Sequence, residues 1–335
     1  MTGLLRVRPR GAAAGAACAM LALAVGVLAL GSGSYPIGPG EVLRVLFGGG
    51  TPAERFVIEQ LRLPRVATAL AVGAALALAG ALFQSLTRNP LGSPDILGFT
   101  QGAGTGALAV VLAGGGSAAL AGGALLGGVL TGAGVLALTW RGGLQSGRLV
   151  LVGIGTAAIL GGVNGYLLTR AQLTEAARAL LWLTGSLDGR GWEQAVPVLL
   201  GLLVIAPPVL LACGPALRIL ELGDDTAAGL GVRVEPVRIA LLAAATVLAA
   251  LAASAAGPVS FVALTAPQLA RRLTRTPGPN LLAAMPVGAA LLVGADWLAQ
   301  HLVSDRQLPV GVVTGVIGGG YLIWLLVTQR RAGRL

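Results

Sequence analysis

The side chains that most often carry covalent or metal chemistry are few in this 335-residue chain. It has one histidine, His301, and two cysteines, Cys18 and Cys213, which lie in apolar surroundings without metal-ligand spacing. All 23 basic residues are arginine, so the chain has neither a lysine-bearing phosphate loop nor a Schiff-base lysine. We therefore expect no catalytic residue, bound metal or cofactor here, and we expect any ATP and Mg²⁺ to bind a separate ATPase.

Asp296 is the one acid expected within an apolar run of membrane length. An ionisable group in a membrane span is a candidate for proton transfer or binding. The alternative is a structural acid near the membrane surface, held by hydrogen bonds. The sequence leaves both interpretations open.

Arg62 and Arg65 stand at the start of the second apolar run and lie three residues apart, which places them on one helix face. Two roles fit such a pair. The arginines could extend towards lipid headgroups, or they could bind acidic side chains of a partner protein and so steer its docking.

Composition places the chain in a membrane. Hydrophobic residues make up 55% and charged residues 11%, and the mean hydropathy is +0.84. Soluble domains carry about 25% charged residues. We predict an all-α membrane protein with a single domain over residues 1–335 and about ten transmembrane helices, at 12–31, 64–86, 96–113, 118–139, 148–169, 193–213, 236–256, 259–273, 279–302 and 309–328.

The arginines are scattered between the apolar runs, so the net charge of +10 indicates membrane topology and not nucleic-acid binding. With the amino terminus inside, 15 of the 23 arginines face the cytoplasm, which predicts that both termini are cytoplasmic. The first apolar run is longer than a signal-peptide core, and we interpret it as a retained span.

Shorter patterns predict local features between the spans. Residues 40–48 and 172–183 have amphipathic patterns and should form surface helices. Asp224 or Asp225 could cap a short helix that Gly231 ends. Glycines four residues apart, as in Gly102/Gly106 and Gly123/Gly127, predict close helix packing.

Four blocks together resemble one known family. They are R-L-P-R from Arg62, N-P-L-G-S-P-D-I-L-G from Asn89, G-P-V-S-F from Gly257 and L-P-V-G-V-V-T from Leu308. This pattern is similar to that of the FecCD/BtuC-type permeases, the membrane subunits of importers for iron–siderophore, haem and cobalamin. The resemblance implies a type II ABC importer permease fold and extends over most of the chain.

The resemblance also implies a coupling segment at about 216–232, which in the family docks in a groove on the ATPase. Taken alone, the composition of this stretch favours a solvated loop. The residues assigned to coupling with the ATPase are Glu221, Leu222, Gly223, Asp224, Asp225, Ala227, Leu230 and Gly231.

Two further sets of residues take roles from the resemblance. Arg62, Arg65 and Arg306 are expected to dock an extracytoplasmic binding protein. Asn89, Leu91, Gln145 and Ser146 are expected to form a cytoplasmic gate. The chain departs from the family pattern at Ala263, Gln268 and Gln300, where glycine, histidine and an outer arginine are usual.

Together these features predict the permease subunit of an ATP-driven importer in a bacterial inner membrane, most simply one for iron–siderophore complexes. Its expected partners are two ATPase subunits, a binding protein, membrane lipid and a second permease, either another copy or a paralogue. Haem or cobalamin are alternative cargoes. An ion-coupled secondary transporter is the main rival, and it would need Asp296 to carry protons. A lipid-modifying membrane enzyme is disfavoured, since acids, histidines and cysteines do not cluster.

Overall fold

A computed structural model describes residues 9–33, 35–140, 146–276, 278–303 and 307–331. These residues form helices and turns, without a strand among them. Short π-helical turns at Phe56–Arg62 and Val209–Cys213 and a 3₁₀ turn at Pro94–Leu97 join some of the helices. The α-helices are α1 Pro9–Gly31, α2 Pro39–Leu46, α3 Pro52–Arg55, α4 Leu63–Thr87, α5 Phe99–Leu112, α6 Ser117–Thr139, α7 Ser146–Arg170, α8 Leu173–Leu183, α9 Trp192–Pro208, α10 Gly214–Leu220, α11 Asp224–Gly229, α12 Val234–Ala256, α13 Val262–Thr274, α14 Leu281–His301 and α15 Val310–Arg331.

Seven continuous helical stretches in the described residues are long and apolar enough to cross a membrane. Two shorter apolar helices, α5 and α15, and the 13-residue α13 complete the predicted set of ten. The all-helical fold with about ten crossing helices is thus confirmed. The predicted surface helices at 40–48 and 172–183 are also present, as α2 and α8.

Two spans are longer than the sequence pattern suggests. The second helical stretch runs without interruption over Pro52–Thr87, 36 residues, whereas the predicted span begins at 64. The sixth predicted span, 193–213, belongs to a helical stretch that extends over Trp192–Leu220. The first residues of the coupling segment are therefore already helical, in α10. Hydropathy locates only the apolar part of a helix, and both extensions carry charged residues beyond that part.

Helix α4 lies at the centre of the bundle. In its most apolar stretch 89% of residues are buried, and it packs against α9, α12, α13 and α14. Its sequence explains this position, because a helix that is apolar on every side has no face suited to water. Helices α1, α7 and α9 are far more exposed, as expected for helices that face lipid or a partner subunit.

Small residues allow the backbones to touch along α4. Gly73 lies directly against Gly288 of α14, and Gly80 lies against the backbone of Ala263 in α13. Pro267, four residues after Ala263, has no N–H with which to complete the helical hydrogen bond to that carbonyl. The carbonyl is therefore free to face Gly80, at a separation that would be too close for a side chain.

Helices α5 and α6 pack closely through their glycines, as the four-residue glycine spacing predicts. Gly102 and Gly106 pack against Gly123 and Gly127, backbone against backbone. In α7 and α15 the glycines at the same spacing behave differently: Gly161, Gly165, Gly315 and Gly319 face open space in the single chain, whereas Gly311 packs against the Thr184 carbonyl.

The crossing helices alternate in direction. Ion pairs and polar turns lie at both ends of α4, and we call these the Arg65 end and the α11 end of the bundle. Helix α1 begins beside Thr274, and Trp324, in the second half of α15, packs against Arg272, both at the α11 end. The start of α1 and the carboxyl-terminal half of α15 therefore lie at the same end of the bundle.

Gly80→Ala should destabilise the protein, because the added methyl group would overlap the Ala263 backbone, which cannot move without displacing α13. Gly134→Ala is the matched control, since this α6 glycine has open space around it. There we expect a neutral effect or a gain of about 0.5–1 kcal/mol from the better helix former. Melting temperatures in detergent measure both, and equal shifts would contradict this account of the α4–α13 contact.

Candidate functional site

The α11 end gathers most of the residues assigned to coupling. Helix α10 ends at Leu220, and α11 follows after a turn in which Gly223 has a φ of 121°. Gly231 has a φ of 81° and closes α11, as predicted from its sequence position. Leu222 and Leu230 are 68% and 62% exposed, so this segment presents apolar side chains outward.

The predicted helix cap is wrong. Gly223 occupies the cap position of α11 and provides no side-chain hydrogen bond. The carboxylate of Asp224 forms ion pairs with Arg88, at 2.5 Å, and with Arg238, at 2.8 Å. Charged partners compete well against backbone N–H groups for a carboxylate, which explains why Asp224 does not cap the helix.

The other assigned coupling residues differ in accessibility. Asp225 is exposed at the start of α11, whereas Ala227 is fully buried and contributes packing within the chain. Glu221 accepts a hydrogen bond from the Ser85 hydroxyl at 3.1 Å. Ala227 and Glu221 therefore belong to the inner side of the segment.

The described residues of the predicted gate lie beside this segment. The Asn89 side chain accepts a hydrogen bond from the Leu91 N–H at 2.9 Å, which shapes the turn after α4. The Ser146 hydroxyl donates to the Leu86 carbonyl at 3.0 Å and so joins the start of α7 to the end of α4. Gln145 lies outside the described residues.

Gln268, where the family has histidine, lies in the same region. Its amide donates to the Pro90 carbonyl at 2.6 Å and lies 3.3 Å from the side-chain oxygen of Gln84. Gln84 also donates to the Leu264 carbonyl at 2.9 Å, and Arg271 donates to the same Gln84 oxygen. An amide has both a donor and an acceptor, so Gln268 can take part in this buried network.

A second polar cluster lies between α5 and α7, and the sequence analysis did not find it. The Asn164 amide donates to the Gln101 carbonyl and side chain at 3.1 and 3.0 Å, and Thr105 donates to Asn164 at 2.6 Å. Asn164 is 5% exposed, whereas Gln101 is exposed. The sequence did contain a signal for this cluster, because Gln101 and Asn164 are each an amide side chain within an apolar run.

At the Arg65 end, a buried ion pair accounts for Asp296. The Arg65 guanidinium donates to both carboxylate oxygens of Asp296, at 3.0 and 2.9 Å, and Gln300 donates to the same carboxylate at 2.9 Å. Asp296 is 1% exposed. This geometry favours the structural interpretation of Asp296, since both of its carboxylate oxygens are bound by a bidentate arginine and Gln300 adds a further hydrogen bond.

The two arginines of the R-L-P-R block point to different partners. Arg62 donates to the carbonyls of Leu30 and Tyr35, both at 2.7 Å, and so holds the turn after α1. Arg65 additionally donates to Gln307 at 2.8 Å. Docking of a partner by this pair stays a prediction, and both guanidinium groups already have partners within the chain. Arg306 lies outside the described residues.

One more cation lies near this end, in the loop before α9. The Arg190 guanidinium donates to the Ser186 carbonyl at 3.2 Å. Burial lowers the pKa of Arg190, and the negative charge of Asp188 opposes this effect.

Comparison with known proteins decides the family. The model of the FecCD transport family matches residues 21–328. The chain belongs to the FecCD transport family. Members of this family are permease subunits of ABC transport systems and not enzymes, so ATP hydrolysis belongs to a separate subunit.

Among its relatives in this family, the chain is 45% identical over 309 residues to the ferric enterobactin transport system permease protein FepG of Escherichia coli (strain K12), covering 91% of this chain and 93% of the relative. It is 39% identical over 316 residues to the achromobactin transport system permease protein CbrC of Dickeya dadantii (strain 3937), covering 93% and 90%. A solved ABC transporter of the metal-chelate type, in an inward-facing conformation, matches with a TM-score of 0.84 and 28% identity over 94% of this chain and 98% of that chain.

Asp296→Asn should destabilise this FecCD-family chain strongly, by about 3–5 kcal/mol, because it leaves the largely buried Arg65 charge with only the exposed Asp188 as a counter-charge. Replacing both partners, as Arg65→Met with Asp296→Leu, should restore much of that loss. Asp188→Asn is the control, since Asp188 is 67% exposed and lies 3.5 Å from the same guanidinium. Its effect should be about 0–1 kcal/mol.

Thermal stability of the purified variants in detergent tests this difference. Equal effects of Asp296→Asn and Asp188→Asn would show that the buried pair does not hold α4 to α14.

Proposed function

We propose that this chain is the permease subunit of an ATP-driven importer for ferric siderophores. The 45% identity to a ferric enterobactin permease over nearly the whole length is the observation that carries the proposal. Relatives named for achromobactin and ferric citrate transport support the same cargo class, an iron chelate. Two ATPase subunits, holding ATP and Mg²⁺, would dock at the α11 end, and a binding protein would deliver cargo at the Arg65 end.

The α11 end is then cytoplasmic, and the protein is a multi-pass protein of the bacterial inner membrane with both termini inside. The exposed Leu222 and Leu230 support the docking proposal, since exposed apolar side chains beside polar ones are typical of protein interfaces. The second permease subunit, either another copy or a paralogue, would cover apolar surface that the single chain leaves open on α7 and α15.

The rival mechanism, ion-coupled secondary transport, would need a titrating acid within the membrane. The candidate acid, Asp296, is held by Arg65 and Gln300. Both oxygens of this buried carboxylate accept hydrogen bonds from Arg65, so it is poorly placed to exchange protons with water.

Uptake into proteoliposomes separates the two mechanisms. We expect a ferric siderophore delivered by its binding protein to enter only when the ATPase, Mg²⁺ and ATP are present, with no effect of a proton uncoupler. The control is the same assembly with a non-hydrolysable ATP analogue. Uptake that is driven by a proton gradient without the ATPase would overturn the proposal.

The cargo's route is proposed to pass the face that carries Gln101 and Thr105. An exposed amide at membrane depth is costly against lipid but well placed beside water and a polar chelate. In a protein with Cys18→Ala and Cys213→Ala, Gln101→Cys should react with a charged, membrane-impermeant thiol reagent. Ile159→Cys, on α7 and 70% exposed, is the control and should stay unlabelled. Equal labelling of the two positions would contradict this route.

A further inference from the structure

One carboxylate ties α11 to two membrane helices. A single oxygen of Asp224 contacts Arg88, which follows α4, and Arg238 in α12. The Arg88 nitrogen that contacts Asp224 also donates to the Leu220 carbonyl at 2.9 Å, at the end of α10. Arg88 therefore contacts both helices of the coupling segment at once.

The backbone of Arg88 supports a specific use of its side chain. Its φ is 49°, in the left-handed region, where a helix most often ends with glycine. In α4 this position is occupied by Arg88, whose side chain contacts Asp224. Helix α4 therefore ends without the glycine that the backbone conformation would favour. Ser85, one turn earlier, adds the hydrogen bond to Glu221.

The same turn of α4 faces α13 on its other side. Gln84 receives hydrogen bonds from Gln268 and Arg271 and donates one to the Leu264 carbonyl. Gln268 in turn holds the Pro90 carbonyl of the predicted gate turn. Polar contacts thus run without a break from α11, through the last turn of α4, to α13 and the turn at 89–91.

We propose that Asp224 is a positioning residue that fixes the coupling segment to α4 and α12, so that these elements move as one body when the ATPase displaces α11. The carboxylate of Asp224 binds arginines of the permease itself, whereas the exposed Leu222 and Leu230 are available to contact the ATPase. When α4 moves, the hydrogen bonds of Gln84 to Leu264, Gln268 and Arg271 move α13 with it, and Gln268 moves the turn at 89–91. This inference rests on the proposed function.

The first test compares transport with hydrolysis in the assembled importer. Asp224→Asn and Arg238→Gln should each lower the cargo moved per ATP hydrolysed by about tenfold, within the range usual for coupling between sites. The ATPase should still co-purify and hydrolyse ATP. Combining Asp224→Asn with Arg88→Gln should lower the ratio by less than the product of the two single effects, because the two substitutions share the Asp224–Arg88 contact. Arg233→Gln is the control: this exposed arginine lies five residues before Arg238 and should leave the ratio unchanged.

Three results are decisive. An unchanged ratio in Asp224→Asn overturns the inference. Loss of ATPase co-purification in that variant also overturns it, because Asp224 would then contact the ATPase itself. A wild-type assembly without ATP-dependent uptake would instead overturn the proposed function, so the two failures are distinguishable.

A cross-link tests the same inference without removing Asp224. In a protein with Cys18→Ala and Cys213→Ala, Ser85→Cys and Glu221→Cys would be joined by a short bis-methanethiosulfonate reagent, which forms a disulfide with each cysteine and releases methanesulfinate, and whose disulfides a reductant cleaves. If α4 and the coupling segment move together, uptake by this variant should be the same before and after cross-linking. Inhibition that reduction reverses would show that they move apart, and would overturn the inference.

Discussion

Close contact between backbones along α4 is the interaction on which the rest of this structure depends. Lipid offers helices no hydrophobic reason to associate, so packing must come from dispersion and from weak polar contacts at short range. Gly73 and Gly80 allow such contacts with α14 and α13. The missing N–H of Pro267 contributes as well, because it leaves a carbonyl where Gly80 can reach it.

Polar groups are then confined to the two ends of α4. Between Arg65 and Gln84 the sequence of α4 is apolar except for Thr68, whose hydroxyl donates to the Pro64 carbonyl. At one end Arg65 joins α4 to α14, and at the other Gln84 and Arg88 join it to α13 and α11. A continuous apolar helix with polar connections at both ends can transmit displacement along its axis, because the described side chains of its middle form no hydrogen bond to a neighbouring helix that would have to break.

Sequence patterns predicted the helices well and the contacts poorly. Apolar runs and proline positions were enough to predict the crossing helices, the short α13 and the surface helices α2 and α8, because these depend on local composition. The partner of Asp296 was beyond such reasoning, since Arg65 lies 231 residues away in the chain. The cap prediction for Asp224 was wrong for the same reason: the two arginines that displace the backbone donors come from other helices. Gln268 is a further example, because its hydrogen bonds could be recognised only once Gln84 and Pro90 were placed beside it.

The central position of α4 has a consequence for biosynthesis. Its neighbours α9, α12, α13 and α14 all follow it in the chain, so α4 enters the membrane long before the helices that will enclose it have been made. During that interval lipid covers the faces that those four helices will later enclose. A helix that is apolar on every side is stable first among the acyl chains of lipid and later in the protein interior. Its glycines leave gaps in its surface, which the helices made later can fill. The ribosome must therefore reach α14 before the central packing of this protein can be completed.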